Sequence, residues 1–284
     1  MNYILLTMVV LGVTLQQVVS KIYGDKIKGG TFSFTWGTLL IALIYFVATS
    51  KGQLHFTAEF LWYSLFFGLS TCMTLIFTYL AIRVGPLSIT TLVSQYSLLI
   101  PTIYGLVALG EPIKSSLVFG VLFLIISLFF INFEKKGEEK RITIKWLIYI
   151  LLAFVGNGAC STIQKVQQVN CAGQYKNEFM IVAYAMSIFI MGICVLKFER
   201  KQCLGDMKRG ALCIIGRGLG LAVVNFLVMI LSNCMPASVM FPVISAGGTI
   251  VAVLIAVVFY KERLSLLQYL GVLLGVVSIV FLNL

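Results

Sequence analysis

Charge is scarce in this chain of 284 residues. Only 11% are Asp, Glu, Lys or Arg against 60% hydrophobic, and there are one histidine, three tryptophans and five prolines. A soluble core of this length could not hide so much apolar surface, and the mean hydropathy of +1.03 places the chain among membrane proteins. No basic stretch precedes Ile4 and no small-residue cleavage site follows the first apolar run, so a removable signal peptide is not expected. The ten acids (Asp25, Glu59, Glu111, Glu134, Glu138, Glu139, Glu178, Glu199, Asp206, Glu262) fall between apolar segments or at their ends. An acidic proton relay within the membrane is thereby disfavoured.

Chemistry-bearing motifs are also missing. The cysteines (Cys72, Cys160, Cys171, Cys194, Cys203, Cys213, Cys234) include no Cys-x-x-Cys pair and fit neither a zinc site nor a disulfide framework, so they read as small hydrophobic residues. There is no His-Glu-x-x-His, no carboxylate pair within an apolar segment and no Cys/His arrangement, and the lone His55 sits in a connection. No catalytic residue, metal site or cofactor is expected, and a lipid-modifying membrane enzyme is the weakest of the functions considered.

What the chain has is apolar runs. About 20 helical residues cross ~30 Å of hydrocarbon, and the sequence divides into ten such spans: Tyr3 to Ser20, Thr31 to Thr49, Phe60 to Ile82, Pro86 to Leu109, Leu117 to Phe133, Ile144 to Ile163, Phe179 to Leu196, Ala211 to Asn233, Pro236 to Tyr260 and Leu266 to Leu284. The net charge of +11 is spread through short clusters between spans, which reads as membrane anchoring and excludes a nucleic-acid surface. The longest charged stretch, Glu134 to Arg141, lies near the midpoint. It divides a first five-helix repeat (1–133) from a second (144–284) through a linker at 134–143, within one membrane domain.

The two halves echo each other. At an offset of 151, Glu111, Gly120, Val121, Leu122, Ser127 and Asn132 recur as Glu262, Gly271, Val272, Leu273, Ser278 and Asn283. Pro86 and Pro236 open the fourth and ninth spans, and Gly12 and Lys21 recur as Gly156 and Lys165 at an offset of 144. With an odd number of spans per half, the second half enters the membrane inverted, giving an all-α integral membrane fold of two inverted-topology five-helix repeats.

A proline opening the fourth span of each half, a Glu at its close and a Gly in the fifth span resemble the drug/metabolite transporter superfamily, specifically its EamA-type ten-helix transporters, over essentially the whole chain. The resemblance implies an inverted-repeat carrier. Its central cavity would be lined by the first, third, fourth, sixth, eighth and ninth spans and open alternately to each side. It implies amino acids, other metabolites or drugs as cargo without choosing among them.

Candidate substrate-binding residues are the polar ones within spans: Gln16, Gln17 and Ser20; Thr74 and Thr78, on one face with Thr71; Ser94, Gln95 and Tyr96; Asn157, Ser161 and Gln164; Asn225; and Ser245. Small polar side chains also hold membrane helices together, which is the plainer role for any single Ser or Thr. Arg217 stands apart, ~9 Å inside the eighth span at 1.5 Å per residue, with no acid in any span to pair with it. Either it faces the cavity and binds a substrate carboxylate or phosphate, or it snorkels to the interface beside Lys208 and Arg209. Lys21 and Lys165 end matching spans and read as interfacial, and Glu111 and Glu262 as caps of turns or partners of Lys114 and Arg263. Pro101 and Pro242 predict kinks in the fourth and ninth spans.

Sixteen Lys and Arg residues flank the odd-numbered side of the spans and four the other, so the positive-inside rule places both termini outside the cytoplasm of a multi-pass protein of the cell membrane. Many proteins of the resembled family keep their termini inside. The expected partners are a small-molecule substrate and the lipid bilayer, with no nucleic acid. Gly271-x-x-x-Gly275 serves packing within a monomer, which suffices, or a homodimer seam. The sequence therefore favours a secondary carrier of small polar metabolites, with a flippase for lipids or lipid-linked sugars as the alternative.

Overall fold

The computed structural model describes residues 2–52, 54–55, 57–85, 87–133, 143–260, 265–282 and 284. The proposed linker (but for Thr143), Pro86, Glu262, Arg263 and Asn283 lie outside these. Among the described residues the regular elements are all helices: α1 (Asn2–Ile22), α2 (Thr31–Thr49), α3 (Ala58–Val84), α4 (Leu87–Tyr96), α5 (Leu99–Val107), α6 (Ser115–Phe133), α7 (Ile144–Asn170), α8 (Lys176–Phe198), α9 (Cys203–Arg209), α10 (Ala211–Cys234), α11 (Ala237–Tyr260) and α12 (Leu266–Leu282). A π-helical turn, Tyr23–Ile27, follows α1. Among the described residues seven helices are long and apolar enough to cross a membrane, and three shorter apolar ones, Leu92–Val107, Ser115–Ile131 and Leu266–Leu282, accompany them.

The surface is apolar in stripes. Ile4, Met8, Leu11 and Leu15 on α1, and Leu266, Leu270, Leu273, Val276 and Val280 on α12, are exposed at helical spacing. Lipid tolerates such stripes and water does not.

The chain forms two compact units, 3–72 with 163–233 and 73–162 with 234–284, each drawing on both sides of the 134–142 stretch. In the first unit α2 and α8 pack antiparallel: Trp36 Nε1 donates to Ile188 O at 3.1 Å, and Phe46 meets Tyr184. α1 and α10 also run antiparallel, with Gly12 against Val224 and Gly220 against Gln16.

In the second unit α6 and α12 are joined by reciprocal hydrogen bonds. Ser127 Oγ donates to Gly271 O and Ser278 Oγ to Gly120 O, each at 2.7 Å. A Cβ on Gly271 would lie 2.9 Å from Ile131 N and 3.0 Å from Ser127 O, so only glycine permits the approach. The face of Gly271 and Gly275 is covered within this unit, by Ile131, Ser127 and Ile250.

Two expectations need correction. The fourth span is not one kinked helix but two, α4 and α5, parted at Ser97 and Leu98. Pro101 lacks the N–H that would bond Ser97 O and its ring crowds that carbonyl, so the ladder reforms as a tighter bond from Ile100 N to Ser97 O at 3.1 Å. Pro242 leaves α11 unbroken. The sixth span runs past Ile163 to Asn170, and this places Lys165 within the helix; the short α9 was not anticipated.

Candidate functional site

Each unit buries a polar cluster among apolar helices. In the second unit the cluster gathers at the break between α4 and α5. Asn157 of α7 donates from Nδ2 to Ser97 Oγ at 2.6 Å and to Ser94 O at 3.3 Å. Ser97 Oγ in turn donates to Ser94 O at 2.5 Å, and Ser94 Oγ to Thr90 O at 2.8 Å. These bonds satisfy backbone that the break exposes, as lipid requires. Gln95, two residues before the break, has its Oε1 buried without a hydrogen-bond partner, and so has Ser245 Oγ on α11. An unpaired acceptor in a dry site is costly unless water or a ligand meets it.

Two other candidates in this unit, Tyr96 and Thr74, have structural partners. Tyr96 donates its hydroxyl to Ile125 O at 2.6 Å and packs on Leu124 and Leu128, tying α4 to α6. Thr74 lies against Gly156 where α3 and α7 meet. Thr78 and Ser161 are partly buried on the same two helices.

In the first unit one polar group forms at the end of α7. Gln164 Nε2 donates to Asn225 O at 3.1 Å and to Asn225 Oδ1 at 3.4 Å, so two predicted residues do meet. Beyond them lie Lys165, Gln167, Gln168 and Ser232, all buried. The interfacial expectation for Lys165 is therefore corrected: its Nζ donates to Ser232 O at 2.7 Å, in the last turn of α10, where the helix dipole favours a cation. Gln168 Oε1 and Ser232 Oγ are buried without partners. The run Gln164-Lys165-x-Gln167-Gln168 was a visible signal, four polar residues in five, lost because the helix was ended at Ile163.

Arg217 lies toward the opposite end of this unit, where α1 ends and α2 and α10 begin. Its guanidinium lies over the Phe34 ring, 5.0 Å from the centroid, and Phe34 stacks on Tyr23 at 3.9 Å. Two of the carboxylates at this end are engaged elsewhere, and Asp25 is exposed on the π-helical turn. Glu199 accepts from Phe32 N at 3.1 Å and Ser33 N at 2.7 Å, satisfying the first turn of α2, while Asp206 accepts from Gly30 N at 2.8 Å and pairs with Arg209 at 2.6 Å. On α1, Ser20 Oγ donates to Gln16 O at 2.6 Å and Gln16 Nε2 to Gly12 O at 3.3 Å, while Gln17 is exposed.

Two further acids act as anchors that the sequence did not fully specify. Glu111 accepts from Ala237 N at 2.7 Å and Ser238 N at 2.9 Å, capping α11 rather than a turn beside it, and Glu178 accepts from His55 N at 3.1 Å. With Glu199, they bind helix starts or entries far away in the chain. Lys114 reaches Leu284 O at 3.2 Å. Among the described residues no cluster of three His, Cys, Asp or Glu side chains could hold a metal ion.

Apolar stripes outside, polar clusters inside and helices of membrane length define an all-α, multi-pass membrane protein. No protein-family model and no curated protein matches the sequence. Solved structures do: one, described only as the crystal structure of a protein, aligns with 99% of this chain and 95% of its own at a TM-score of 0.80 and 14% identity. At that identity the likeness establishes a shared fold.

Proposed function

We propose that this protein is a secondary carrier of small polar metabolites, of the EamA type within the drug/metabolite transporter superfamily. It crosses the membrane ten times as two inverted five-helix repeats and works by alternating access around a polar cavity. The observation that carries this reading is the polar cluster at the α4–α5 break, where Asn157 bonds Ser97 and where Gln95 Oε1, two residues before Ser97, is buried and unpaired. Broken helices at the depth of the membrane are where carriers place their binding groups, because irregular backbone survives there only beside protein or a wet cavity.

Repeat-related residues in matching roles support the inverted duplication. Ser127 with Gly271 and Ser278 with Gly120 are the same bond written twice at an offset of 151 across an antiparallel helix pair. Gly12 receives Val224 as Gly156 receives Thr74.

Purified protein in liposomes tests the carrier reading. Preloaded vesicles given labelled amino acids or organic acids should show counterflow, with the recovered solute unchanged in mass. Absence of counterflow for every solute class, or a product of altered mass, would refute it.

A further inference from the structure

We infer that Arg217 is the anchor of an oxyanion site at the basic end of the first unit, which makes the substrate of the proposed carrier an organic acid or phosphate compound; the substrate assignment rests on that carrier reading. Among the described residues nothing accepts a hydrogen bond from the guanidinium, which lies over the Phe34 ring 5.0 Å from its centroid. A cation over a ring is held by its charge and keeps its N–H donors for a planar oxyanion. Of the acids at this end, Glu199 is committed to the start of α2 and Asp206 to Gly30 and Arg209, while Asp25 is exposed on the π-helical turn.

Space for a ligand lies beside it. The α1–α10 register pairs Gly12 with Val224 and Gln16 with Gly220. Continued by one turn, it brings Ser20 abreast of Gly216. At Gly216 a Cβ would meet no atom within 4 Å, whereas at Gly218, one residue past Arg217, it would meet Thr38 O at 2.9 Å and Ile41. The notch thus opens on the α1 side of Arg217, where the second N–H of the Gln16 amide supplies a further donor, the Ser20 hydroxyl being already given to Gln16 O. Exposed Lys21, Lys26, Lys28, Lys201 and Lys208 at the same end would draw anions toward it.

The same chemistry is offered by a soluble phosphate or carboxylate and by an anionic lipid headgroup, and the two can be separated. Detergent-purified, delipidated protein is titrated with inorganic phosphate and with succinate, against chloride at equal ionic strength, and thermal unfolding is followed. In parallel it is placed in nanodiscs of phosphatidylcholine with and without phosphatidylglycerol. Stabilisation by phosphate or succinate identifies a solute site, and stabilisation by phosphatidylglycerol alone a headgroup site.

In either case Arg217→Gln should abolish the shift, Arg217→Lys should keep part of it, and Gly216→Leu should reduce affinity at least tenfold while unfolding at the wild-type temperature without ligand. The site is refuted if no probe stabilises the wild type beyond chloride, or if Gly216→Leu and Arg217→Lys both respond as the wild type does. Arg217-dependent binding without counterflow of any solute would leave the site standing and remove the carrier, and counterflow of neutral solutes with no anion binding would do the reverse.

Discussion

Asn157 on α7 reaches Ser97 at 2.6 Å at the point where α4 and α5 part, and the same amide nitrogen serves Ser94 O. One side chain thus meets the Ser94 carbonyl, whose usual helical donor, Leu98 N, bonds Gln95 O instead. Asn157→Ala should cost about 1–3 kcal/mol by leaving polar groups at the break unpaired. A lowered unfolding temperature in detergent checks this, and Asn157→Asp, which retains an acceptor but loses the donor, should not restore it.

Glu111 performs the corresponding service for α11. Glu111→Ala strips partners from Ala237 N and Ser238 N and should destabilise by about 1–3 kcal/mol. Glu111→Gln keeps one acceptor oxygen and should lose less. Equal stability of all three proteins in detergent unfolding would show that water replaces the cap.

The α6–α12 seam tolerates no added carbon where backbone faces it. Gly271→Ala should destabilise by about 1–3 kcal/mol, since Ile131 N and Ser127 O cannot yield as a side chain can. Ser127→Ala and Ser278→Ala should each lose about 0.6–1.7 kcal/mol, the scale of interhelical hydrogen bonds in membranes. Unfolding in graded sodium dodecyl sulfate measures all three, and equal losses from the two serines would match their reciprocal bonding.

Cysteine labelling reads the orientation. Cys203, on α9 at the basic end of the first unit, should react with an impermeant maleimide only after permeabilisation, whereas exposed Cys234 at the far end of α10 should react in intact cells. Single-cysteine versions of the protein give the answer directly, and the opposite pattern would put both termini in the cytoplasm.

Much of the helix layout was legible because lipid simplifies the code. A run of about 20 apolar residues between polar breaks has one stable form in hydrocarbon, and α2 begins and ends where the sequence placed it, at Thr31 and Thr49. The break in the fourth span was announced by Pro101 but located only by the structure, since a proline disturbs the turn before it. Lys165 misled for a related reason: a basic residue near a span's end looks interfacial until about two further turns of helix bury it.

Composition and periodicity by themselves determined that the protein is an all-helical membrane protein and where most of its apolar stretches lie, because the cost of exposing polar groups to lipid acts on every residue locally. Which of those residues meet was left to tertiary structure. Gln164 finds Asn225, Asn157 finds Ser97, and Glu111 finds the start of α11, while Arg217 rests on Phe34. These pairings depend on how distant helices register against one another, and side-chain spacing within a single helix carries no record of that.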